Sequence, residues 1–169
     1  HYEVLLRMQD TDGTVLSPAH FIPAAEHTGL IHAIDHMVLR KAIAQIAQIY
    51  AAGFSVNFSI NLSAHAFNDP ELLPILKEAL TKHRMDPKSL LFEITETAAL
   101  EDLPGARGLM TEIKELGCGF VLDDFGVGFS SFYYLRELPV DVVKIDGSFI
   151  RNLSQSSDDL ILVNALCSV

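Results

Sequence analysis

Several residue types are scarce in this chain, and each scarcity excludes a class of protein. Tryptophan is absent, and only two cysteines occur among the 169 residues. Cys118 and Cys167 lie in apolar surroundings without CxxC spacing, which predicts reduced core thiols rather than a disulfide or a metal pair. No apolar run reaches the roughly 18 to 20 residues of a membrane span, and no secretory leader opens the sequence. We therefore expect a cytoplasmic segment without membrane contact.

Positive charge is also in short supply. Twelve lysines and arginines stand against 22 aspartates and glutamates, which gives a formal net charge of −10. A surface this acidic repels nucleic-acid backbones, so we expect no nucleic-acid partner. A small phosphate-bearing ligand can still bind if metal ions reverse the local field. The simpler interpretation, in which the charge only keeps the domain in solution, holds unless the acidic residues gather in a site.

Apolar residues are plentiful, and their spacing alternates between that of strands and that of helices. They make up 49% of the chain, which is enough for the core of one domain. Short β-rich runs predict strands at 2–8, 54–62, 90–95, 119–123 and 140–145. Helical periodicity with Ser-Pro and glycine boundaries predicts helices at 18–29, 31–52, 70–83, 104–116 and 130–138, and part of another at 158–167. This alternation predicts parallel strands joined by right-handed crossovers.

The polar positions of these strands decide between an open sheet and a closed barrel. In the second predicted strand Asn57, Ser59 and Asn61 share one face, and in the third Glu93 and Thr95 do so. An open sheet covered by helices on both sides requires apolar residues on both strand faces. A repeatedly polar face is typical of a barrel interior that leads to a site. Because a full barrel takes about 250 residues, we predict an α/β fold: a partial TIM-like (β/α) barrel with five of eight strand units.

Candidate catalytic residues lie where the predicted strands end, which is where barrel enzymes carry their active sites. The polar residues there are Glu3, Arg7, Asn61, Glu93, Glu96, Asp123, Asp124, Lys144 and Asp146. Hard oxygen ligands from several strands favour magnesium or manganese, and adjacent aspartates can bridge two metals for attack on a phosphate. Lys144 can orient the attacking water, and Arg7 offers a bidentate grip on phosphate. A single strand-end acid is more often a helix cap, but five strands that supply one rim favour a metal site.

Particular segments of the chain, in their order, resemble a known family. YEVLLR, INLS, FEITET, LDDFGVGFSS and VDVVKIDGSFI look like the motifs of the EAL-type cyclic-di-GMP phosphodiesterase domain, and PAHFIPAAEHTGLI is similar to its outer-helix segment. The resemblance covers residues 1–169 as a single domain. It implies that the family's first strand and its last two strand units lie outside this sequence. The implied reaction opens one phosphodiester of cyclic di-GMP to give linear pGpG in bacterial second-messenger signalling.

The resemblance also implies a role for individual residues. The first of two magnesium or manganese ions is implied to bind Glu3, Asn61, Glu93 and Asp123, and the second to bind Asp123 and Asp124. Lys144 is implied to lie beside the attacking water, and Arg7 to contact the substrate phosphate. Glu96 is implied to brace the loop from Asp124 to Ser131. The implied partners are cyclic di-GMP, a second copy of the chain, and a fused sensory or GGDEF domain.

Departures from the family pattern leave other functions open. The signature Glu-Ala-Leu is Glu3-Val4-Leu5 here, and the loop has Val127 and Phe129 where the family usually has threonine and tyrosine. One alternative is a degenerate EAL domain that binds cyclic di-GMP as a receptor without cleaving it. A purely dimerising domain is another. The retained carboxylates and Lys144 favour the enzyme.

One further motif has a different interpretation. His32 and His36 have the i, i+4 spacing of zinc-protease ligands, but aspartate stands where the required glutamate should be, and no third ligand is evident in the sequence. We predict exposed helix histidines rather than a zinc site.

Overall fold

The computed structural model describes residues 1–126, 132–151, 160–161 and 163–164. Its strands are β1 Tyr2–Val4, β2 Met8–Gln9, β3 Val15–Leu16, β4 Phe58–Asn61, β5 Leu90–Thr95, β6 Gly119–Phe125 and β7 Val142–Ile145. Five of them form one parallel sheet in the order β1-β4-β5-β6-β7, and β2 pairs with β3 in a separate antiparallel hairpin. The sheet curls into half of a barrel, which confirms the predicted fold class.

Helices connect the strands. They are α1 Pro18–Thr28, α2 Ile31–Ala51, α3 Leu72–His83, α4 Glu96–Glu101, α5 Leu103–Glu115, α6 Phe132–Glu137 and α7 Gly147–Arg151, with short 3-10 helices at Ala64–Asn68 and Pro87–Ser89. The predicted helix at 158–167 falls largely outside the described residues. None of the helices in the described ranges is long and apolar enough to span a membrane.

The two faces of the sheet carry different residues. On one face, Phe58, Ile60, Phe92, Ile94 and Phe120 are buried in a single hydrophobic core together with apolar residues of α2, α3 and α5. Their burial supplies the main stabilisation, since each buried large apolar side chain contributes about 1.5–3 kcal/mol. Positions between these residues in sequence point to the other face because side chains alternate along a strand. That second face holds the polar residues.

The structure differs from the predicted strand bounds most at β1 and β4; in addition, β6 continues two residues further, to Phe125, and β7 begins two residues later, at Val142. The strand predicted at 2–8 ends at Val4, and Met8 pairs instead with Leu16 in the hairpin. The strand predicted at 54–62 begins only at Phe58. The hydroxyl of Tyr50 donates to the carbonyl of Val56, and this bond holds the intervening residues against the end of α2.

Helix α4 was not predicted. It begins directly after β5, where the hydroxyl of Thr95 accepts a hydrogen bond from the amide of Ala98 at 3.2 Å and caps the helix. Cys118 is a buried free thiol, as predicted, and burial raises its pKa to about 12. Cys167 lies outside the described residues.

Candidate active site

The ammonium group of Lys144 lies among three carboxylates that come from three other strands or strand ends. Its Nζ donates to Glu93 Oε2 at 2.5 Å, and it lies 3.4 Å from both Glu3 Oε2 and Asp123 Oδ2. Asn61 joins this group because its Nδ2 donates to Glu3 Oε1 at 2.8 Å. We call Glu3, Asn61, Glu93, Asp123 and Lys144 the rim cluster.

Strand register brings the rim cluster together. Asn61 is paired with Glu93 across β4 and β5, and Thr95 with Asp123 across β5 and β6. Partners in a parallel ladder point to the same face of the sheet, and so do residues two apart on one strand. The five polar side chains therefore share the inner face at one end of the half-barrel, although each comes from a different strand.

Glu93 is the most enclosed member of the rim cluster. Its side chain is fully buried, and its Oε2 binds Lys144. Its other oxygen, Oε1, is buried and has no hydrogen-bond partner among the residues that the structure describes. Leaving a buried acceptor without a partner is costly, and such groups in folded proteins call for a specific explanation.

The adjacent aspartates at the end of β6 adopt an unusual backbone. Asp124 has φ of 54°, in the left-handed region, and its amide donates to Asp123 Oδ1 at 2.9 Å. Burial raises the pKa of the Asp124 carboxyl, the negative charges of Asp123 and Asp146 raise it further, and Lys144 opposes them. Asp146 thus belongs to the electrostatic surroundings of the site. A second cation beside these acids would be favoured by the same excess of negative charge.

Glu96 holds the start of the loop that follows β6. It is buried at the first position of α4, and its Oε2 accepts from the amide of Gly126 at 2.9 Å. Gly126 has φ of +105°, a conformation that suits glycine. The remainder of the loop, including the sequence departures at Val127 and Phe129, lies outside the described residues. Glu96 therefore contacts the loop at Gly126. Its bracing of the rest of the loop stays a prediction.

Arg7 takes part in none of the hydrogen bonds described for the rim cluster. Because β1 ends at Val4, the side-chain alternation expected along 2–8 does not extend to Arg7. The guanidinium donates to the neighbouring carbonyl of Leu6 at 2.7 Å, and the residue is exposed. Its contact with a substrate phosphate stays a prediction.

The rim cluster has the chemistry of a divalent metal site. Within the described residues, no group of three His, Cys, Asp or Glu side chains is spaced for direct coordination of a metal ion. The Lys144 ammonium stands at the point where the carboxylates meet. The carboxylates of Glu3, Glu93 and Asp123 and the amide oxygen of Asn61 are nevertheless the hard oxygen ligands that magnesium or manganese prefers. The residues present therefore fit such an ion.

A cavity beside the rim cluster was not expected from the sequence. Its volume is about 560 Å³, and the residues that line it include Leu5, Pro18, Ile22 and Asn61. Asp35 lies in its wall and is 7% exposed, and its Oδ2 accepts from the Ser63 hydroxyl at 2.5 Å. Burial raises the pKa of Asp35, and the hydrogen bond from Ser63 opposes that rise. A buried carboxylate in the wall of a cavity that apolar and polar residues line together is a signal for ligand binding that spacing alone did not reveal.

His32 and His36 also find a partner that the sequence did not indicate. Nε2 of His36 lies 2.6 Å and Nδ1 of His32 lies 3.3 Å from the same oxygen, Oδ2 of Asp69. His36 is largely buried, contrary to the prediction of two exposed histidines. These contacts attach α2 to the residues that follow the 3-10 helix Ala64–Asn68.

Comparison with known proteins identifies the family. The model of the EAL domain family matches residues 1–169. The chain belongs to the EAL domain family. Phosphodiesterases of this family are metal-dependent.

Curated EAL relatives align along nearly the whole chain. It is 38% identical over 167 residues to cyclic di-GMP phosphodiesterase PdeB of Shewanella oneidensis, an alignment that covers 99% of this chain and 20% of PdeB. It is 36% identical to the bifunctional diguanylate cyclase/cyclic di-GMP phosphodiesterase MucR of Pseudomonas aeruginosa, covering 99% and 24%. The chain therefore spans only about a fifth to a quarter of the length of these relatives.

Solved EAL structures share the architecture. A complex of the PaMucR phosphodiesterase with c-di-GMP matches with a TM-score of 0.87 at 36% identity, covering 96% of this chain and 66% of that one. The FimX EAL domain of Pseudomonas aeruginosa, bound to c-di-GMP, matches with a TM-score of 0.90 at 34% identity, covering 98% and 66%. The half-barrel of this chain thus has the architecture of the TIM-like barrels to which EAL domains belong.

Proposed function

We propose that this EAL domain hydrolyses cyclic di-GMP to linear pGpG in a metal-dependent reaction. The observation that carries the proposal is the rim cluster, in which Glu3, Glu93 and Asp123 meet around Lys144 at the strand ends. Relatives named as cyclic di-GMP phosphodiesterases support the same substrate. Because the chain covers a small part of those relatives, the activity of the whole protein is part of the proposal.

The ions of the proposed site are magnesium or manganese. Glu3, Asn61, Glu93 and Asp123 would hold the first ion, and Asp123 with Asp124 the second. Such ions supply Lewis acidity and acidify the attacking water. Oxygen ligands without nitrogen or sulfur favour these two metals over zinc.

The side chains of the chain itself supply positioning and charge. We assign to Lys144 the orientation of the attacking water and the neutralisation of charge that develops on the phosphate. Partial burial by itself would lower the pKa of Lys144, but the contacts with Glu93, Asp123 and Glu3 outweigh burial and raise this pKa. The ammonium group therefore stays protonated at neutral pH. Glu96 keeps Gly126, and with it the end of β6, in place. Arg7 contacts the substrate phosphate in this proposal.

We assign one guanine base to the cavity beside the rim cluster. Leu5, Pro18 and Ile22 offer it apolar contact. The Watson–Crick edge of guanine presents two adjacent donors, N1–H and the N2 amino group, and a carboxylate can accept from both. Asp35 supplies such a carboxylate, since its side chain is buried in the cavity wall. Its position beside Asn61 places the base next to the proposed metal ligands.

The setting of the domain is also proposed. Because cyclic di-GMP is an intracellular signal, we place the domain in the cytoplasm, in a longer protein that carries a sensory or GGDEF domain. The bifunctional cyclase and phosphodiesterase among its relatives supports such a fusion. We expect the domain to pair with a second copy of itself.

A second candidate function is that of a receptor. The FimX EAL domain is similar at 34% identity and is described as bound to c-di-GMP, which favours a domain that binds the dinucleotide. The change of the signature to Glu3-Val4-Leu5 points in the same direction.

One experiment separates the two functions. The full-length protein is incubated with cyclic di-GMP and magnesium or manganese, products are resolved by chromatography, and binding is measured by calorimetry in calcium. Formation of pGpG supports the phosphodiesterase. Binding without pGpG in either metal contradicts the enzyme and favours the receptor.

A further inference from the structure

His1 lies beside the rim cluster but has no part in the function proposed so far. Its Nε2 is 3.0 Å from the hydroxyl oxygen of Ser59 and 3.9 Å from Oε1 of Glu93. Ser59 and Glu93 are both fully buried, whereas the His1 side chain is 43% exposed. The imidazole therefore reaches from the surface of the half-barrel to its most enclosed carboxylate.

The two oxygens of Glu93 have unequal surroundings. Oε2 receives a hydrogen bond from Lys144 at 2.5 Å, whereas Oε1 is buried and, within the described part of the chain, has no hydrogen-bond partner. The His1 ring nitrogen lies just beyond hydrogen-bond distance of this oxygen. Ser59 fixes the ring because its hydroxyl contacts the same nitrogen and its own side chain is immobilised by burial.

We propose that His1 is a positioning residue for Glu93, holding Oε1 while Lys144 holds Oε2. The hydrogen bond on Oε2 and a ring N–H 3.9 Å from Oε1 would together limit rotation of the carboxylate, so that Glu93 meets a divalent ion with little reorientation. A carboxylate oxygen has two lone pairs, so Oε1 can accept from His1 and bind an ion at once. The role requires only a ring N–H and no change of protonation. This inference rests on the proposed phosphodiesterase function.

Outer partners of metal ligands have measurable effects. Their loss typically weakens metal binding or activity by about 10- to 100-fold, because the ligand must then be ordered by the ion itself. His1 belongs to this class because it contacts a predicted ligand and not the reacting phosphate. Its removal is expected to change the affinity for the ion first and turnover as a consequence.

The test uses the full-length protein with four variants. His1→Ala removes the ring, His1→Gln keeps an amide N–H at similar reach, and His1→Asn carries the same amide too close to the backbone. His27→Ala is the control, since His27 is an exposed histidine on α1. The dissociation constant for Mn²⁺ is measured in nucleotide-free protein from the electron paramagnetic resonance signal of the free ion, and kcat and KM are measured for cyclic di-GMP.

We expect His1→Ala and His1→Asn to weaken Mn²⁺ binding by about tenfold or more. His1→Gln should restore most of this loss, and His27→Ala should match the unmodified protein. At saturating Mn²⁺, kcat of His1→Ala should recover substantially while KM stays unchanged. If His1→Ala fails to fold, the comparison between His1→Gln and His1→Asn carries the test.

Two outcomes contradict different parts of the argument. An unmodified protein that makes pGpG, with equal Mn²⁺ affinity in all His1 variants, overturns the positioning role alone. Mn²⁺ affinity that depends on His1, in a protein that never yields pGpG, overturns the proposed function and leaves the positioning role standing.

Discussion

Lys144 serves as an internal counter-ion for three acids that would otherwise repel one another. Its contacts with Glu93, Glu3 and Asp123 span 2.5 to 3.4 Å. Glu93 is fully buried, and a buried carboxylate is tolerated only when it is paired. A divalent ion at the same carboxylates would compete with the ammonium for them. In the proposed reaction, Lys144 would then be free to turn toward substrate, because the ion would supply the positive charge.

Substitutions at Lys144 and Asp124 should affect turnover more than binding. In the full-length protein, Lys144→Ala and Asp124→Asn should each lower kcat by about 100-fold or more, which corresponds to about 2.7 kcal/mol. In the proposed reaction, Lys144 would offset negative charge that grows mainly in the transition state, and Asp124 would hold the second ion that acts on the attacking water. Product chromatography gives kcat and calorimetry gives the affinity for cyclic di-GMP. Lys82→Ala, on the exposed side of α3, is the control. A loss of affinity as large as the loss of kcat would contradict these roles.

Asp35 should determine the preference for guanine. Asp35→Asn replaces one of two acceptors by a donor, so it should weaken cyclic di-GMP binding by about tenfold or more, or about 1.4 kcal/mol. Ser63→Ala removes the hydrogen bond to Asp35 and leaves its charge, and it should have a smaller effect. Calorimetry with cyclic di-GMP and cyclic di-AMP measures the change. An Asp35→Asn variant that still distinguishes the two dinucleotides as well as the unmodified protein would contradict the assignment.

At the scale of single elements, the sequence predicts β5 and the helices α1, α2, α3, α5 and α6 well, but it misses the short helices α4 and α7. The strand at Leu90–Thr95 agrees at both ends because its apolar run is bounded by Ser89 and by the Thr95 cap. The β2–β3 hairpin escapes prediction because its strands have two residues each, too few for a period to show. The rim cluster is predictable because the C-terminal ends of parallel strands lie at the same end of the sheet, so polar residues there lie close together. His1 and Asp35 are not, because their roles depend on contacts across the sheet and between helices.

Two glycine substitutions, one directly after β6 and one inside α5, form a matched pair. At Gly126, φ is +105° and an added Cβ would lie 2.6 Å from Cε2 of Phe149, so Gly126→Ala should destabilise the domain by about 1–3 kcal/mol. At Gly108, inside α5, an added Cβ meets no atom within 4 Å. Gly108→Ala should stabilise by about 0.5–1 kcal/mol. Urea unfolding measures both. Equal effects of the two substitutions would show that the turn after β6 is not constrained.

Asp69, which follows the 3-10 helix Ala64–Asn68, contacts His32 and His36 of helix α2. Burial by itself would raise the pKa of Asp69. Hydrogen bonds from the Glu71 amide and from His36, together with the charges of His36 and His32, outweigh burial and lower this pKa. Because the pKa of Asp69 is lower in the folded than in the unfolded state, its ionised carboxylate stabilises the fold at pH values above the ordinary pKa of aspartate. This contribution is lost as the pH falls through the pKa of Asp69 in the folded state. Asp69→Asn should therefore cost about 1–3 kcal/mol at neutral pH.

The pH dependence checks that assignment. Thermal unfolding of Asp69→Asn and the unmodified domain should differ at pH 7, and the difference should narrow below the ordinary aspartate range. Glu78→Gln, on the exposed surface of α3, is the control. A difference that stays constant down to strongly acidic pH would mean that the charge of Asp69 does not contribute.

At the scale of the whole molecule, the half-barrel has two open edges. β1 and β7 end the sheet, and Tyr2 and Val142 on these strands are 62% and 46% exposed. Unpaired edge strands promote association between chains. The 169-residue chain by itself should form heterogeneous oligomers at micromolar concentration. A longer version with flanking segments that add strands should instead give a discrete species, as measured by size exclusion with light scattering. A monodisperse monomer of the 169-residue chain would contradict this expectation.

The contact between Lys144 and Glu3 also has a consequence during synthesis on the ribosome. It joins residues 141 positions apart, and Glu93 and Asp123 are made in the interval. A nascent chain therefore carries its acids without their counter-ion until β7 has left the exit tunnel. A chain that stops before Lys144 cannot assemble the complete rim cluster, so under the proposed function such a truncated product would not hydrolyse cyclic di-GMP.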